Sequence, residues 1–129
     1  GFAMSVLIDT SVWIDHFRHG NDVLVDLISQ DLALTHPMVI GEIACGTPPA
    51  PRAQTLSHMG LLQPCNQANL REVMAFIERE KLYGLGCGLV DMALLASTLI
   101  TPGAELWTLD KRLADLAERF AVAHRPKQH

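Results

Sequence analysis

At 129 residues, with 49% hydrophobic residues and a formal net charge of −4, the chain is long enough for one domain with its own core and too short for two ordinary ones. This composition excludes a disordered or fibrous protein, and the longest apolar runs are far shorter than the roughly 18 to 20 residues that cross a bilayer. The acidic balance argues against a surface coated with positive charge for gripping duplex nucleic acid. It does not exclude nucleic acid, because a cation bound by carboxylates presents positive potential to phosphate.

The first half of the chain shows strand and helix patterns in alternation. Short apolar runs bounded by polar residues predict strands, and apolar residues at three-to-four spacing predict helices. Thr10 or Ser11 is expected to cap the first helix, and Pro37 to open the third. The predicted elements are a strand at 5–8, a helix through Val12 and Phe17, a helix at 23–28, a strand at 32–35, a helix from Pro37 toward Gly46, and a proline-rich turn at 47–51.

The second half continues the alternation. Its clearest amphipathic helix covers 70–81, with Asn66 or Asn69 as a cap and Gly84 as a stop. The other predicted elements are a helix at 52–59, a strand at 61–63, a glycine-rich turn at 84–88, a buried helix at 89–100, a strand at 106–109, a helix from Asp110 through Ala117, and a closing strand at 120–123. We therefore expect an α/β fold of three α/β/α layers around a mainly parallel sheet.

The ends and the cysteines complete the outline. We interpret residues 1–3, ahead of Met4, as an expression-derived extension and residues 4–125 as a single domain. The three cysteines, Cys45, Cys65 and Cys87, are widely spaced and form no CxxC pair, which favours small core residues in a reduced, cytoplasmic protein.

Four acidic residues stand apart from those on the expected surface. Asp9 and Asp110 follow predicted strands, so both are expected at the carboxyl edge of the sheet, where α/β proteins bind ligands. Each also precedes a helix, and capping is as good an explanation as catalysis. Asp91 and Glu42 lie in predicted helices among apolar neighbours, with no cation within a helical turn of Asp91. A carboxylate in such surroundings needs donors or a cation.

A divalent cation is the natural counter-charge for four such carboxylates. Acids that meet in one cleft repel one another and raise one another's pKa values until a cation enters. Oxygen ligands without histidine favour Mg²⁺ or Mn²⁺ over zinc, and these ions support hydrolysis of phosphodiesters. The residues themselves thus indicate metal-dependent hydrolysis of a nucleic acid.

The chain carries a series of short motifs in a definite order. The run from Val6 to Asp15, VLIDTSVWID, resembles the opening motif of the PIN-domain family, in particular of the VapC toxins, and Gly41-Glu42 resembles part of that family's early helix. Asp91 with the Leu94-Leu95-Ala96 that follows, and residues 106–110, LWTLD, are similar to its later motifs, so all four family acids find a match in order. Lys111 and Arg112 follow Asp110 where many relatives carry another acid.

The resemblance implies a PIN fold and cleavage of single-stranded or looped RNA with Mg²⁺ or Mn²⁺. It implies an acidic site of Asp9, Glu42, Asp91 and Asp110, with Asp9, Asp91 and Asp110 as metal ligands. Ser11 and Thr108 are the supporting residues, with a helix cap and a plain strand residue as their structural alternatives. Arg18, Lys111 and Arg112 are candidates for phosphate contacts or ordinary solvated charges. The family also implies a homodimer and a cognate antitoxin that wraps the toxin.

Three other functions compete with this interpretation. A phosphatase of the haloacid-dehalogenase type needs a second Asp two residues after the first, and that position is Ser11. A phosphoacceptor receiver domain needs paired acids after the first strand, and they are absent. A catalytically silent PIN-like module that binds RNA or a protein partner would be expected to lack one or more of the acids, and all four are present.

Overall fold

A four-stranded parallel sheet forms the centre of the molecule. The computed structural model describes residues 4–126, so the proposed extension at 1–3 lies outside the described residues. The strand order is β3-β2-β1-β4, where β1 is Ser5–Ile8, β2 is Ala33–Thr35, β3 is Gln63–Pro64 and β4 is Ala104–Trp107. β1 is central and buried on both faces, as its uninterrupted apolar sequence predicts.

Helices connect and cover the strands, which gives the predicted α/β/α architecture. Within residues 4–126 they are α1 Thr10–His19, α2 Asp22–Ser29, α3 Pro37–Ala44, α4 Arg52–Gly60, α5 Leu70–Glu80, α6 Leu89–Leu99 and α7 Lys111–Arg119. α1 packs on α3 and α3 on α4, whereas α5 packs on α6 and α6 on β4. None of the helices in this part of the chain is long and apolar enough to span a bilayer.

The register brings the carboxyl ends of the strands to one edge. Leu7 lies opposite Leu34 of β2 and Leu106 of β4, and the backbone N–H of Asp9 donates to the carbonyl of Trp107 at 2.9 Å. The residues that follow β1, β2 and β4 therefore meet at the same edge, as expected for parallel strands.

Three of the predicted strands differ clearly from the observed ones. The strand expected at 106–109 is β4, which begins and ends two residues earlier, at Ala104 and Trp107, in the register set by its pairing with β1. The strand expected at 61–63 is the two-residue β3, shifted toward Pro64, because hydrogen bonding to Thr35 of β2 fixes its position. Pro64 is tolerated there because β3 lies at the edge of the sheet. The closing strand at 120–123 is reduced to a single parallel bridge between Ala123 and Leu106.

The sequence predicts that the helices exist better than it predicts the residues at which they end. Asn69, one of the two candidate caps, accepts from the backbone N–H of Glu72 and caps α5. That helix ends before Lys81, which adopts a left-handed φ of 55°, rather than at Gly84.

The cysteines differ in part from the sequence prediction. All three are free, and Cys65 is buried as expected, but Cys45 is exposed, so the prediction of a core residue was wrong for Cys45.

Candidate active site

Asp9 is the most enclosed of the four acids. It follows β1 at the carboxyl edge and its side chain is 6% exposed. It occupies the N-cap position of α1, yet its side chain makes no capping hydrogen bond, so the capping interpretation of Asp9 is wrong. The carboxylate oxygen Oδ2 instead accepts from the hydroxyls of Ser11 at 2.7 Å and Thr108 at 2.6 Å.

Ser11 and Thr108 tie Asp9 to the end of β4. The backbone N–H of Leu109 donates to Ser11 Oγ at 3.0 Å, and that of Asp110 donates to Thr108 Oγ1 at 3.0 Å. Both hydroxyls thus use their lone pairs on the backbone and their protons on Asp9, which fixes the position of the carboxylate. The structure places both predicted supporting residues beside Asp9, and Ser11 lies inside α1 rather than capping it.

Asp110 caps the last helix. Its Oδ1 accepts from the backbone N–H of Leu113 at 3.0 Å, so the capping interpretation holds for this residue. Strand β4 ends at Trp107, three residues earlier than Asp110, and the Asp110 side chain is exposed. The second carboxylate oxygen has no hydrogen-bond partner among residues 4–126, so capping leaves it free to bind another ligand.

Asp91 has less compensation than Asp9. It lies in the first turn of α6, half-buried, and Oδ2 accepts from the backbone N–H of Gly88 at 3.1 Å. Burial raises the pKa of the Asp91 carboxyl above its ordinary value, and the negative charges of Asp9, Asp110 and Glu42 raise it further, against the opposing hydrogen bond from Gly88. Among residues 4–126 it forms no ion pair. Its charge therefore remains largely uncompensated.

Glu42 was expected in apolar surroundings and is exposed instead. The buried residues of α3 are Val39 and Ile43, and Glu42 is exposed to solvent on the same helix. Its Oε1 accepts from the hydroxyl of Thr10 at 2.6 Å, which links α3 to the start of α1. From the sequence, Thr10 is expected only as a candidate cap of α1. Its position directly after Asp9 in the opening motif is the signal that could have identified it.

The electrostatic effect of the other three acids is seen at Asp91, and residues 4–126 form no closed metal cage. The charges of all the others act on Asp91, and those of Asp91 and Asp110 help raise the pKa of the Cys87 thiol after burial, against Arg112. Over residues 4–126, no three Asp, Glu, His or Cys side chains are arranged as ligands of one ion. The oxygen chemistry of the donors fits a hard divalent cation.

The three cations named from sequence occupy different surroundings. Arg18 lines a cleft with Glu42, Lys111 pairs with Asp115 at 3.4 Å, and Arg112 Nη1 donates to the carbonyl of Gly86 at 3.4 Å. The Lys111 pair is strongly exposed on both sides and contributes little to stability. Arg112 lies close over the glycine-rich turn, where a Cβ on Gly86 would be 2.6 Å from its Nη1.

A four-stranded parallel sheet with helices on both faces, and with Asp9 and Asp110 close after two of its strands, has the architecture of the PIN-like class. The chain is 40% identical over 118 residues to "Ribonuclease VapC32" of Mycobacterium tuberculosis, in both the CDC 1551 / Oshkosh and the ATCC 25618 / H37Rv strains. The aligned region covers 92% of this chain and 94% of that relative. No protein-family model matches the chain. At this identity and coverage, the chain belongs to the VapC family of PIN-domain ribonuclease toxins.

Proposed function

We propose that this protein is a Mg²⁺- or Mn²⁺-dependent endoribonuclease toxin whose acidic site is Asp9, Glu42, Asp91 and Asp110. The observation that carries the proposal is Asp91: a half-buried carboxylate without an ion pair among residues 4–126, whose pKa is raised by burial and by the other three acids. Such a group is costly to keep charged unless a cation binds. The membership of a ribonuclease family supports the same conclusion.

In this proposal Asp9, Asp91 and Asp110 hold the metal, and Glu42 completes the acidic site. When bound, the ion supplies Lewis-acid stabilisation of the charge that develops on the phosphate and makes water a better nucleophile at neutral pH. The chain's own groups orient the ligands: Ser11 and Thr108 hold Asp9, and the Gly88 N–H holds Asp91. Thr10 does the same for Glu42.

The substrate is RNA, held at its phosphates by cations around the acids. Arg18 and Arg112 are the stronger candidates because neither forms an ion pair within residues 4–126, and Lys111 contributes through a weak, exposed pair. As part of the same proposal, the protein acts in the cytoplasm, forms a homodimer and is silenced by a cognate antitoxin. Light scattering tests both partners. The mass of the protein alone should be that of a dimer, and the mass should increase when the antitoxin is added.

The direct test is cleavage of a panel of small structured RNAs with Mn²⁺, Mg²⁺ or EDTA, using Asp9→Asn as the control. We expect cutting that requires the metal and disappears in the variant, and the chemistry of the new ends identifies the leaving oxygen. Metal-dependent binding of these RNAs with no cutting by either protein would contradict the proposal in favour of the catalytically silent module.

A further inference from the structure

A cleft of about 520 Å³ opens directly beside the acidic edge. One wall comes from α1, with Ile14, Phe17 and Arg18, and the other from α3 and the segment that follows it, with Glu42 and residues 46–49. Because Glu42 also belongs to the acidic site, the cleft is continuous with the proposed centre of catalysis. Its volume is within the ordinary range for small organic ligands.

The walls of this cleft are mainly apolar and include an aromatic ring held in place. Phe17 packs against the rings of Trp13 at 5.9 Å and His16 at 6.0 Å between centroids, while remaining partly exposed. Ile14 is 37% exposed, and Pro48 and Pro49 supply further rigid apolar surface. A fixed ring with open apolar surface next to it suits a planar, weakly polar group.

Arg18 gives the cleft its only positive charge among the lining residues. The side chain is exposed and forms no ion pair or hydrogen bond within residues 4–126. An unpaired guanidinium one residue from Phe17 can contact a phosphate while the ring contacts the group attached to it. The combination of one planar apolar group with one phosphate is that of a nucleotide.

We propose that this cleft holds the base of an unstacked nucleotide beside the scissile phosphate of a single-stranded RNA, with Phe17 against the base and Arg18 on a backbone phosphate. This inference rests on the proposed function and specifies its substrate. A duplex does not fit, because its bases are stacked and it needs a broad basic surface, whereas this chain has a net charge of −4. Bases splayed from single strands are commonly bound by stacking on aromatic side chains.

The test pairs a change in the RNA with a change in the protein. An RNA that the wild-type chain cleaves is made with an abasic residue at each position flanking the cut, which keeps the phosphate and removes the base. At one position we expect wild-type cleavage to fall at least ~5-fold, the lower end of what one stacked base contributes. In Phe17→Leu, cleavage of the intact RNA falls similarly and the abasic residue has no further effect.

Matched variants separate stacking from general damage. Phe17→Trp keeps a ring and should restore the sensitivity to the abasic residue. Arg18→Ala should weaken RNA binding and lower the salt dependence of that binding. The control is Arg71→Ala in α5, which also removes an exposed arginine and should change neither quantity. Because each Phe17 variant is compared with itself on the intact and the abasic RNA, a partial loss of folded protein cancels from the ratio.

A binding measurement keeps the inference separate from the proposed function. In EDTA, the full chain is mixed with single-stranded RNAs that carry the fluorescent base 2-aminopurine at successive positions. At one position the 2-aminopurine fluorescence should fall when the wild-type chain binds, because the base packs on Phe17. The same RNA should show no such fall with Phe17→Leu. Metal-dependent cutting with no sensitive position overturns the base site and leaves the ribonuclease intact. A fluorescence change with no cutting retains the site and overturns the proposed function. If Phe17→Leu and the abasic residue each lower the cleavage rate by the same factor whether or not the other is present, the base does not contact Phe17. The cleft would then have another occupant, such as a protein segment.

Discussion

Asp9 and Asp91 lie at the same edge of the sheet, but the protein compensates their charges very differently. Asp9 is 6% exposed and accepts two hydroxyl protons, each hydroxyl being held in turn by a backbone N–H of residues 109 and 110. Asp91 accepts one backbone N–H, and burial together with three neighbouring acids raises its pKa. One carboxylate is satisfied by the fold, and the other is not.

This difference separates two roles within one acidic site. Asp9 is preorganised, because its orientation is fixed before any ligand arrives. Asp91 stores an unfavourable interaction that a cation would relieve, which makes it the residue whose properties should respond most to metal. Variants of Asp9 and Asp91 test this difference directly.

The largest effects are expected from replacing either acid with its amide. Asp9→Asn and Asp91→Asn should each reduce RNA cleavage at least ~100-fold, since a ligand to an ion worth several kcal/mol is lost. In EDTA the two variants should diverge. Asp9→Asn loses charge-assisted hydrogen bonds and should lower the free energy of unfolding by ~1–3 kcal/mol, whereas Asp91→Asn removes a disfavoured charge and should not lower it. Urea denaturation measures both.

Added metal provides the control for this pair. Mn²⁺ or Mg²⁺ should raise the thermal midpoint of the wild-type chain, because a ligand that binds only the native state stabilises it, and should raise that of Asp91→Asn much less. Equal destabilisation of the two metal-free variants, or an equal response to metal, would remove the distinction between the acids.

The next largest effects concern the hydroxyls around Asp9. Ser11→Ala and Thr108→Val should each reduce cleavage by ~10- to 100-fold, the usual effect of losing a residue that orients a metal ligand. Their oxygens are 3.3 Å apart and both donate to the same carboxylate oxygen, so the double variant should lose less than the product of the two. Ser29→Ala, whose hydroxyl bonds only within α2, is the control and should cleave normally. Fully multiplying losses would show that the two hydroxyls act separately.

The positions of the acids were predictable, but their burial was not. Asp9 follows a buried apolar strand, and parallel strands share an edge, so local pattern places it correctly. Glu42 and Asp110 were expected away from water, and both are exposed. Exposure at an edge depends on the tilt of helices and on the course of loops, which a local pattern of apolar residues does not contain. The hydrogen bond from Thr10 to Glu42 joins residues 32 positions apart in the sequence, so a local pattern could not predict it either.

Strand ends show the same limit. β1 could be recognised from its own sequence, because it is a largely buried apolar run. β4 was expected at 106–109 but begins at Ala104, because it includes the partly buried Glu105, which an apolar pattern leaves out. β3 consists of Gln63 and Pro64, both exposed, and exists only because β2 supplies its hydrogen-bond partners. A strand defined by its neighbour rather than by its own residues is not visible to periodicity.

Smaller effects are expected at the glycine-rich turn before Asp91. Gly84 and Gly86 have positive φ angles of 74° and 83°, so Ala at either should cost ~1–2 kcal/mol in stability. Only at Gly86 does the new Cβ meet another group, Nη1 of Arg112 at 2.6 Å, whereas at Gly84 nothing lies within 4 Å. Gly86→Ala should therefore displace Arg112 and also reduce cleavage a few-fold. The comparison needs only melting curves and cleavage rates for both variants, and equal rates would mean that Arg112 is not used.

The smallest effect concerns His36, which caps the helix that carries Glu42. Its Nδ1 accepts from the backbone N–H of Met38 at 3.0 Å, and the ring is 3% exposed. His36→Ala should lower the free energy of unfolding by ~1 kcal/mol through loss of the cap, whereas Asn retains an acceptor at a similar place and should lower it less. Urea denaturation at neutral pH compares the two variants with the wild type.

The pH dependence of the same residue has a definite sign. Burial lowers the pKa of His36 below its ordinary value of 6.5, so between these two values the unfolded chain binds a proton that the folded chain does not. The stability that neutral His36 contributes is thus complete above pH 6.5 and is lost as pH falls from 6.5 toward the lowered pKa. On acidification the wild type should lose stability relative to His36→Asn, which has no titrating ring. Parallel pH profiles would show instead that the folded protein accommodates protonated His36 at the start of α3.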